Sequence, residues 1–206
     1  MTIQKVVAER GIDLLFHFTQ VQNLHSILTH GLLPKGQCAI NGILPIINDS
    51  QRLDFTDGVC LTIGFPNYKM FYTLRQNNPQ TEWAVIGLEP RVLWEKDVAF
   101  CRENAAKAEV TAIPLHQRKG AAALRAMFDD YEGKPRKILE IPESCPTHPQ
   151  AEVLVFEKIE PNYIVGVTFN KPANATQFRA QSYEQEYQLI HDLDYFYARR
   201  DFAHWK

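Results

Sequence analysis

Apolar positions along the chain follow helix-like spacing near its start and strand-like spacing through its middle. An apolar run at residues 14–19 predicts a strand, and residues 21–33 then carry an apolar residue every three or four positions, which predicts a helix. The apolar stripe of this helix is formed by Val21, Leu24, Ile27 and Leu28. Gly31 is placed to end it. Residues 34–57 are rich in Gly, Pro, Asn, Asp and Ser and predict a long loop, which indicates function or disorder in a small domain.

The rest of the chain adds further strands and three more helices. Apolar runs predict strands at residues 58–65, 82–90, 97–101, 150–159 and 163–170. Because only Glu160-Pro161-Asn162 separates the last two, they predict a hairpin. Helices are predicted at residues 67–78, 119–131 and 182–200. The last of these is amphipathic, with Tyr183, Tyr187 and Ile190 along one stripe.

This order of elements predicts the α+β class, with a mixed sheet and helices on its flanks. The 206 residues, of which 45% are hydrophobic and 22% charged, suit a single domain over residues 1–206, with a compact pair of domains as the alternative. No apolar run is long enough to span a bilayer, and the N-terminus lacks the features of a signal peptide. We therefore expect a cytoplasmic protein that has no membrane partner.

Cysteine, histidine and charge patterns weigh against several kinds of site. The four cysteines form no CxxC pair, which is typical of reduced thiols, and the histidines supply no zinc-ligand spacing, so we expect no metal. The GxGxxG, GxxxxGK and GxSxG motifs are absent, so the Rossmann, P-loop and hydrolase hypotheses have no support. The net charge of -2 gives no global basic field, so contact with a polyanion requires a local patch.

Polar residues lie at the ends of two apolar strands. His17 and Thr19 close the first strand directly before a helix, where a strand end can hold a ligand's polar groups. The alternative is that Thr19 caps the helix and His17 is a satisfied core histidine. Glu152 opens a later strand and shares a face with Leu154 and Phe156. A buried carboxylate is costly unless it is paired or used, so the alternative is a Glu152 solvated at a frayed strand end.

Three weaker features lie elsewhere. Arg52 stands in the polar loop, and its planar fork matches phosphate oxygens, although a single loop arginine is usually solvated. Residues 68–72 crowd three aromatic rings and a methionine into about one helical turn, so one or two of them can line a pocket. A basic run in this acidic chain is a candidate contact to a phosphate backbone, with solvated surface as the alternative. The run comprises Arg118, Lys119, Arg125, Lys134, Arg136 and Lys137, of which Lys134, Arg136 and Lys137 are the predicted DNA contacts.

Two segments resemble known families. The segment "HFTQVQNLHSILTHGLL" resembles the opening of the ADP-ribosyltransferase fold, where His-x-Thr begins the NAD-binding core. The segment "HPQAEVLVFEKIEPNYIVGV" resembles the catalytic strand pair of the DarT family, DNA-modifying ADP-ribosyltransferase toxins of bacterial toxin–antitoxin systems. The resemblance spans residues 14–170 in a consistent order and implies a mainly antiparallel β core. The stretch "IGFPNYKMFY" departs from the thymine-modifying branch, which is rich in proline and methionine there, and looks closer to a guanine-modifying sister branch.

The resemblance implies a role for each site residue. Glu152 matches the catalytic glutamate, which would stabilise positive charge on the ribose and take a proton from the attacking base. Arg52 matches a catalytic loop arginine that grips the pyrophosphate, and His17 matches the residue that bonds the adenosine-side ribose. The implied NAD-binding residues are His17, Phe18, Thr19, Asn23, Arg52, Tyr68 and Met70, the last two near the nicotinamide.

The function implied by the resemblance is that of a glycosyltransferase, specifically a pentosyltransferase, acting as a toxin. It would use NAD as a substrate, need no metal, and transfer ADP-ribose to a base in single-stranded DNA, with guanine favoured over thymine. Single strands are favoured because a base must leave the stack to reach a buried ribose. The expected partner is a macrodomain antitoxin. The alternatives are an NAD glycohydrolase, an ADP-ribosyltransferase acting on RNA or protein, and a catalytically silent NAD-binding module.

Overall fold

A computed structural model of the chain describes residues 1–47, 57–190, 192 and 194–206. The strands in this part of the chain are β1 Leu15–Gln20, β2 Val59–Ile63, β3 Trp83–Leu88, β4 Val98–Cys101, β5 Glu152–Val155, β6 Ile164–Phe169 and β7 Gln188–Leu189. The helices are α1 Ile3–Arg10, α2 Val21–His30, α3 Lys35–Ile40, α4 Tyr68–Asn77, α5 Val92–Glu95, α6 Ala108–Thr111, α7 Gly120–Ala126, α8 Arg136–Leu139 and α9 Pro172–Arg179. Turns of 3₁₀ helix cover Leu115–Arg118, Pro161–Tyr163, Asp194–Phe196 and Arg200–Trp205.

The strands form one mixed sheet in the order β4-β5-β2-β1-β3-β6-β7. Neighbouring strands are antiparallel, except that β6 and β7 are parallel. Helices flank this sheet, so the predicted α+β class with a mainly antiparallel β core is confirmed.

The sheet opens between β1 and β2. β1 pairs with β3 over its whole length but with β2 only at its first two residues, Leu15 and Phe16. Beyond Phe16 the two strands diverge, which leaves space beside His17–Thr19 near the centre of the sheet. Polar side chains can occupy this space while the β1 backbone stays bonded to β3 on its other side.

The central strand β3 separates two apolar clusters. Every residue of β3 is buried, and alternate side chains point to opposite faces. Ala84, Ile86 and Leu88 join a large cluster that also contains residues of α1, α2 and α7. Trp83 and Val85 join a smaller, aromatic cluster that contains Phe71 of α4 and Phe196. Burial on both faces explains why β3 reads as a continuous apolar run.

The hairpin predicted for residues 150–159 and 163–170 is wrong. β5 and β6 are separated in the sheet by β2, β1 and β3. After β5 the chain passes the end of α2, where Leu32 and Ile159 exchange two backbone hydrogen bonds of 2.9 Å. Gly31 permits this approach, because a Cβ there would lie 2.2 Å from the Ile159 carbonyl oxygen. Both strands are almost entirely buried. Their apolar runs therefore indicate burial on both faces of the sheet but do not indicate which strand pairs with which.

The amphipathic helix predicted at residues 182–200 is wrong in the part of that range that the structure describes. The chain there is largely irregular, and Gln188–Leu189 adds a short parallel strand to β6. The Tyr187 hydroxyl donates a 2.7 Å hydrogen bond to the Leu28 carbonyl. Gly166 allows β7 to approach, because a Cβ there would lie 2.3 Å from the β7 backbone. These tertiary contacts outweigh the helical spacing of the apolar residues.

The remaining differences concern segments in which no helix was predicted. The loop predicted at residues 34–57 contains helix α3, and its residues 48–56 lie outside the described part of the chain. The pattern also did not predict α1, α5 and α9, or α6 and α8 in the connection between β4 and β5.

In the structure none of the four cysteines forms a disulfide. Among the described residues, no helix has the length and apolar character needed to cross a membrane.

Candidate active site

A cavity of about 510 Å³ lies beside the divergence of β1 and β2. Its walls come from β1, α2, residues 31–47, β2, the start of α4 and residues 104–106. The predicted site residues that line it are His17, Phe18, Thr19, Asn23, Met70 and Glu152. A cavity of several hundred Å³ with mainly apolar walls and a few polar groups is typical of a small-molecule site.

Glu152 is a buried carboxylate in the wall of this cavity. It is the first residue of β5 and pairs with Cys101 at the end of β4, and it is only 6% exposed. The backbone N–H of Ala105 donates a 2.8 Å hydrogen bond to Oε2, and the Asn67 amide approaches Oε1 at 3.4 Å. The alternative of a solvated glutamate at a frayed strand end is therefore wrong.

Asn67 connects Glu152 to helix α4. Its side-chain Oδ1 caps the helix by accepting a 3.2 Å hydrogen bond from the Met70 N–H, while its Nδ2 faces Glu152. The residue is 1% exposed. One amide thus fixes the start of α4 against the carboxylate and sets Met70 on the cavity wall. The helix predicted at residues 67–78 begins at Asn67, but the contact of Asn67 with Glu152 was not predicted.

His17 bridges the gap between the diverging strands. Its Nδ1 lies 3.0 Å from the Cys60 carbonyl oxygen of β2. A carbonyl oxygen only accepts, so Nδ1 carries the proton and donates this hydrogen bond. The contact fixes both the tautomer and the orientation of the ring at the cavity wall.

Thr19 and Asn23 hold the segment of residues 41–47 over the cavity. Asn23 Nδ2 donates to Thr19 Oγ1 at 3.1 Å and to the Ile46 carbonyl at 2.9 Å, and Asn23 Oδ1 accepts from the Ile46 N–H at 2.9 Å. The residue before α2 is Gln20, which makes no side-chain cap, so the alternative of Thr19 as the helix cap is wrong. Thr19 instead supports the amide that clamps Ile46.

Phe18 and Met70 contribute apolar walls on the side of α4. The Phe18 ring stacks on Phe71 with 4.4 Å between centroids, and Met70 lines the cavity directly. Tyr68 lies outside the lining. It is 8% exposed, and burial together with the charge of Asp201 raises its pKa to about 12. The structure therefore brings Met70, and not Tyr68, to the predicted nicotinamide side.

The predicted pyrophosphate-binding residue, Arg52, lies outside the described residues. Among those that the structure describes, Lys35 is the only lysine or arginine that lines the cavity. It begins α3 and is exposed, and sequence reasoning did not single it out. The available signal was a lysine beside a glycine in the loop predicted at residues 34–57.

The predicted DNA contacts differ in their surroundings. Arg136 is built into the fold, because its guanidinium donates to the Cys145 carbonyl at 2.8 Å and to Thr147 Oγ1 at 3.1 Å. Lys134 lies over the Trp205 ring at 5.0 Å, and Lys137 is exposed. Elsewhere in the basic run, Lys119 and Arg125 form ion pairs with acidic side chains and Arg118 is buried.

The C-terminal segment anchors the chain that leads into β5. The Arg199 guanidinium forms a buried, bidentate pair with Asp201 and also donates to the carbonyls of Pro146 and Thr147, each at 2.9 Å. Lys69 of α4 donates to the Trp205 carbonyl at 2.5 Å. This segment therefore contacts both structures that converge on Glu152, namely α4 and the residues before β5.

Comparison with known proteins identifies the class of protein. The family model described as "ssDNA thymidine ADP-ribosyltransferase, DarT" matches residues 16–197. The chain therefore belongs to the DarT family, and the resemblance seen in the sequence is confirmed. The comparison with curated proteins returns no match.

Solved structures share the fold. Thermosipho africanus DarTG in complex with ADP-ribose has a TM-score of 0.63 and 17% identity, covering 89% of this chain and 51% of that one. Thermus sp. 2.9 DarT in complex with ADP-ribosylated ssDNA has a TM-score of 0.54 and 15% identity, covering 91% and 97%. The same protein with NAD+ has a TM-score of 0.51 and 15% identity, covering 90% and 98%. The chain thus spans about half the length of the DarTG chain.

Proposed function

We propose that this protein transfers ADP-ribose from NAD to a base in single-stranded DNA. The observation that carries the proposal is the Glu152 carboxylate, buried in a cavity wall together with the His17 imidazole and the Asn23 clamp. Membership of the DarT family and the NAD+ and ADP-ribosylated ssDNA complexes of Thermus sp. 2.9 DarT support it.

In the proposed reaction the bond between nicotinamide and the ribose C1′ breaks, and a bond from C1′ to a nitrogen of the base forms. Positive charge grows on the ribose as neutral nicotinamide leaves, and the fixed Glu152 carboxylate stabilises this charge. The proton released by the attacking base nitrogen passes to Glu152. Burial strengthens both effects, because the carboxylate faces a cavity with few competing polar groups.

The other cavity residues bind and orient NAD in this proposal. His17, already fixed by its bond to Cys60, bonds the adenosine-side ribose, and Met70 packs near the nicotinamide. Arg52 and Lys35 supply positive charge for the pyrophosphate, since charge-assisted contacts to phosphate are the strong ones. No step requires a metal, and the described residues contain no group of side chains that could hold one.

The target base is proposed to be guanine rather than thymine, whereas the family description names thymidine. The sequence departure that favours guanine covers residues 63–72, which include Asn67, whose amide faces Glu152, and Met70, which lines the same cavity. The departure therefore falls in the part of the wall nearest the carboxylate, where the attacking base must arrive.

The proposed biological role is that of a cytoplasmic toxin that is neutralised by a macrodomain antitoxin. DarTG of Thermosipho africanus, with which the chain shares its fold, supports this role. In cells, the intact protein should harm the host and a Glu152 variant should be tolerated.

Mass spectrometry of single-stranded oligonucleotides after incubation with NAD tests the proposal. Two matched oligonucleotides, one with guanine and one with thymine as its single modifiable base, separate the two targets. A gain of one ADP-ribose on the guanine strand is the expected result. Free ADP-ribose without modified DNA would instead show an NAD glycohydrolase, and modification of the thymine strand alone would overturn the guanine assignment.

A further inference from the structure

The chain that follows β4 presents a backbone N–H to Glu152. Residues 103–107 form a turn there, which we call the Ala105 turn. Its central residues, Asn104, Ala105 and Ala106, line the cavity. The Ala105 N–H donates a 2.8 Å hydrogen bond to Glu152 Oε2, and the next N–H, of Ala106, donates to Asn104 Oδ1 at 2.9 Å. The direction of the Ala105 N–H is therefore set by the shape of the turn.

Glu103 begins the Ala105 turn and holds it in three directions. The residue is 7% exposed, and its carboxylate accepts a hydrogen bond from the Tyr131 hydroxyl. Its Oε1 forms a 2.5 Å ion pair with Lys107, the last residue of the turn, and lies 3.5 Å from His148 Nε2. The ion pair thus joins the two ends of the turn, while Tyr131 and His148 attach it to the chain that leads into β5.

The position of Glu103 points to a role in geometry. It lies behind the cavity wall and not in the lining, so it acts on the site only through the turn. Removing a carboxylate from water costs free energy, and well-packed apolar side chains of the same volume often stabilise a fold at least as well. Hydrogen bonds, in contrast, fix direction as well as distance. A buried carboxylate with several partners is therefore suited to hold a turn in one orientation.

We propose that Glu103 is a positioning residue for the Glu152 carboxylate. It holds the Ala105 turn so that the Ala105 N–H stays bonded to Glu152, and it does not touch the substrate. The inference rests on the proposed function for its effect on the reaction, in which Glu152 stabilises positive charge on the ribose. A carboxylate that has lost this bond must reorient as the charge develops, so loss of Glu103 should slow transfer more than it weakens NAD binding.

The second partner of Glu152 limits the size of this effect. The Asn67 amide faces Oε1 from the start of α4 and does not depend on the Ala105 turn. Displacing the turn therefore leaves the negative charge in place and removes one of the contacts that orient it. The loss should be smaller than that caused by removing the Glu152 charge itself.

Single-turnover transfer to a single-stranded oligonucleotide that contains both guanine and thymine tests the effect on the reaction. Glu103→Gln should lower the rate at least about tenfold, and by a larger factor than it raises the Kd for NAD measured by calorimetry. Tyr131→Phe, which removes one hydroxyl, should lower the rate by a smaller factor. Glu95→Gln and Tyr163→Phe are matched controls, because Glu95 also pairs with a basic residue four positions away, Arg91, and accepts from a tyrosine hydroxyl, outside the cavity lining.

Hydrogen exchange in protein made with isotope-labelled alanine measures the position of the Ala105 N–H without any reaction. The variant Ala105→Gly identifies the Ala105 signal by removing it. In Glu103→Gln the Ala105 N–H should exchange at least about fivefold faster relative to the N–H of Ala84, because its hydrogen bond opens locally. Ala84 is fully buried in the central strand β3, so it serves as the internal reference for global stability.

An unchanged ratio of Ala105 to Ala84 exchange in Glu103→Gln would overturn the inference. A wild-type rate of transfer, or a fall in rate that is equalled by the rise in the Kd for NAD, would also overturn it. If Glu103→Gln does not fold, Tyr131→Phe decides by the same measurements. If the wild type transfers ADP-ribose and the exchange ratio does not change, only this inference fails. If the ratio rises but the wild type transfers no ADP-ribose, only the proposed function fails.

Discussion

At the scale of single residues, the Glu152 carboxylate is oriented before any substrate arrives. One carboxylate oxygen accepts a hydrogen bond from the Ala105 N–H, and the other faces the Asn67 amide. The carboxylate therefore needs little reorientation when positive charge develops on the ribose. Such a preorganised charge acts in the transition state more than in the ground state.

Replacing Glu152 with glutamine should therefore lower turnover and spare binding. The amide keeps the volume and an acceptor for Ala105 but loses the negative charge. We expect the single-turnover rate of transfer to fall by about 10²–10³, with a larger fall if Glu152 is also the base. The Kd for NAD should change little, and Glu152→Ala should behave in the same way. A glutamine variant that transfers at the wild-type rate would remove Glu152 from the mechanism.

Arg52 and Lys35 should act on NAD binding instead. Arg52→Ala should weaken NAD binding by on the order of 1.5–3 kcal/mol, the value of a hydrogen bond to a charged group. Lys35→Ala should weaken it less, because Lys35 is exposed and its charge is screened. Calorimetric titration measures both, with ADP-ribose as a second ligand that retains the pyrophosphate. An unchanged Kd for Arg52→Ala would show that this residue does not grip the phosphates.

The sequence indicated some site residues better than others, for a physical reason. Glu152 and His17 stood out because a polar side chain at an apolar strand end is unusual. Ala105 was invisible, because its contribution is a backbone N–H that no side-chain pattern marks. Asn67 was predicted only as the start of a helix, because its contact with Glu152 spans 85 positions of sequence. Contacts of that range depend on the order of strands in the sheet.

At the scale of elements, the segment of residues 41–47 depends on α2 for its position. The Asn23 side chain, in the first turn of α2, makes both a donor and an acceptor bond to the Ile46 backbone. The amide thus acts as an extra strand partner for a segment that has no sheet neighbour of its own. Its contribution to NAD binding is indirect, because it holds one wall of the cavity.

Asn23→Ala should raise the Kd for NAD with little loss of global stability. Two hydrogen bonds to Ile46, each worth about 0.5–1.5 kcal/mol, are lost, and the wall must be ordered when NAD binds. Asn41→Ala is the matched control, because Asn41 lies in the same segment but bonds only locally to Gln37. Calorimetry and thermal unfolding of the two variants separate the effects. Equal NAD affinity in both would show that the clamp does not shape the site.

The predictions for whole elements succeeded where local pattern determines the outcome and failed where pairing does. β1, α2 and β3 followed from spacing, because each buries a face dictated by its own residues. The partner of β6 could not be read in this way. Gly166 admits β7 by lacking a Cβ, and the Tyr187 hydroxyl bonds to the distant Leu28 backbone. Tertiary contacts therefore outweigh the helical spacing in the described part of residues 182–200.

At the scale of the whole molecule, the C-terminal segment closes the structure behind the active site. Trp205 packs its ring against His148, with 4.6 Å between centroids, and against Tyr131 at 5.6 Å. His148 Nδ1 accepts the Gln150 N–H at 3.2 Å, so Nε2 carries the proton and faces Glu103 at 3.5 Å. This buried cluster sits four residues before Glu152 and links the two ends of the β4–β5 connection.

Glu103 stays ionised in this cluster. Burial opposes its charge, but hydrogen bonds from Lys107 and Tyr131 outweigh burial and lower the pKa of its carboxyl. The His148 imidazole, in contrast, stays neutral because burial opposes its protonation. Burial lowers its pKa from the ordinary 6.5 to about 4, and the attraction of Glu103 only partly offsets this, since Lys107, Lys69 and Arg199 also oppose protonation.

Acid should therefore destabilise the protein through His148 in a defined range of pH. Above pH 6.5 the imidazole is neutral in both states, and its contribution to the free energy of unfolding is complete. Between pH 6.5 and about 4 the unfolded chain binds a proton that the folded protein does not, so stability falls, by up to about 3 kcal/mol in total.

His148→Asn, which cannot titrate, should be less stable at pH 7 but should lose less stability on acidification. His116→Asn, at an exposed histidine, should keep the wild-type slope. Urea unfolding at several pH values measures these slopes, and a wild-type slope in His148→Asn would show that another group carries the acid sensitivity.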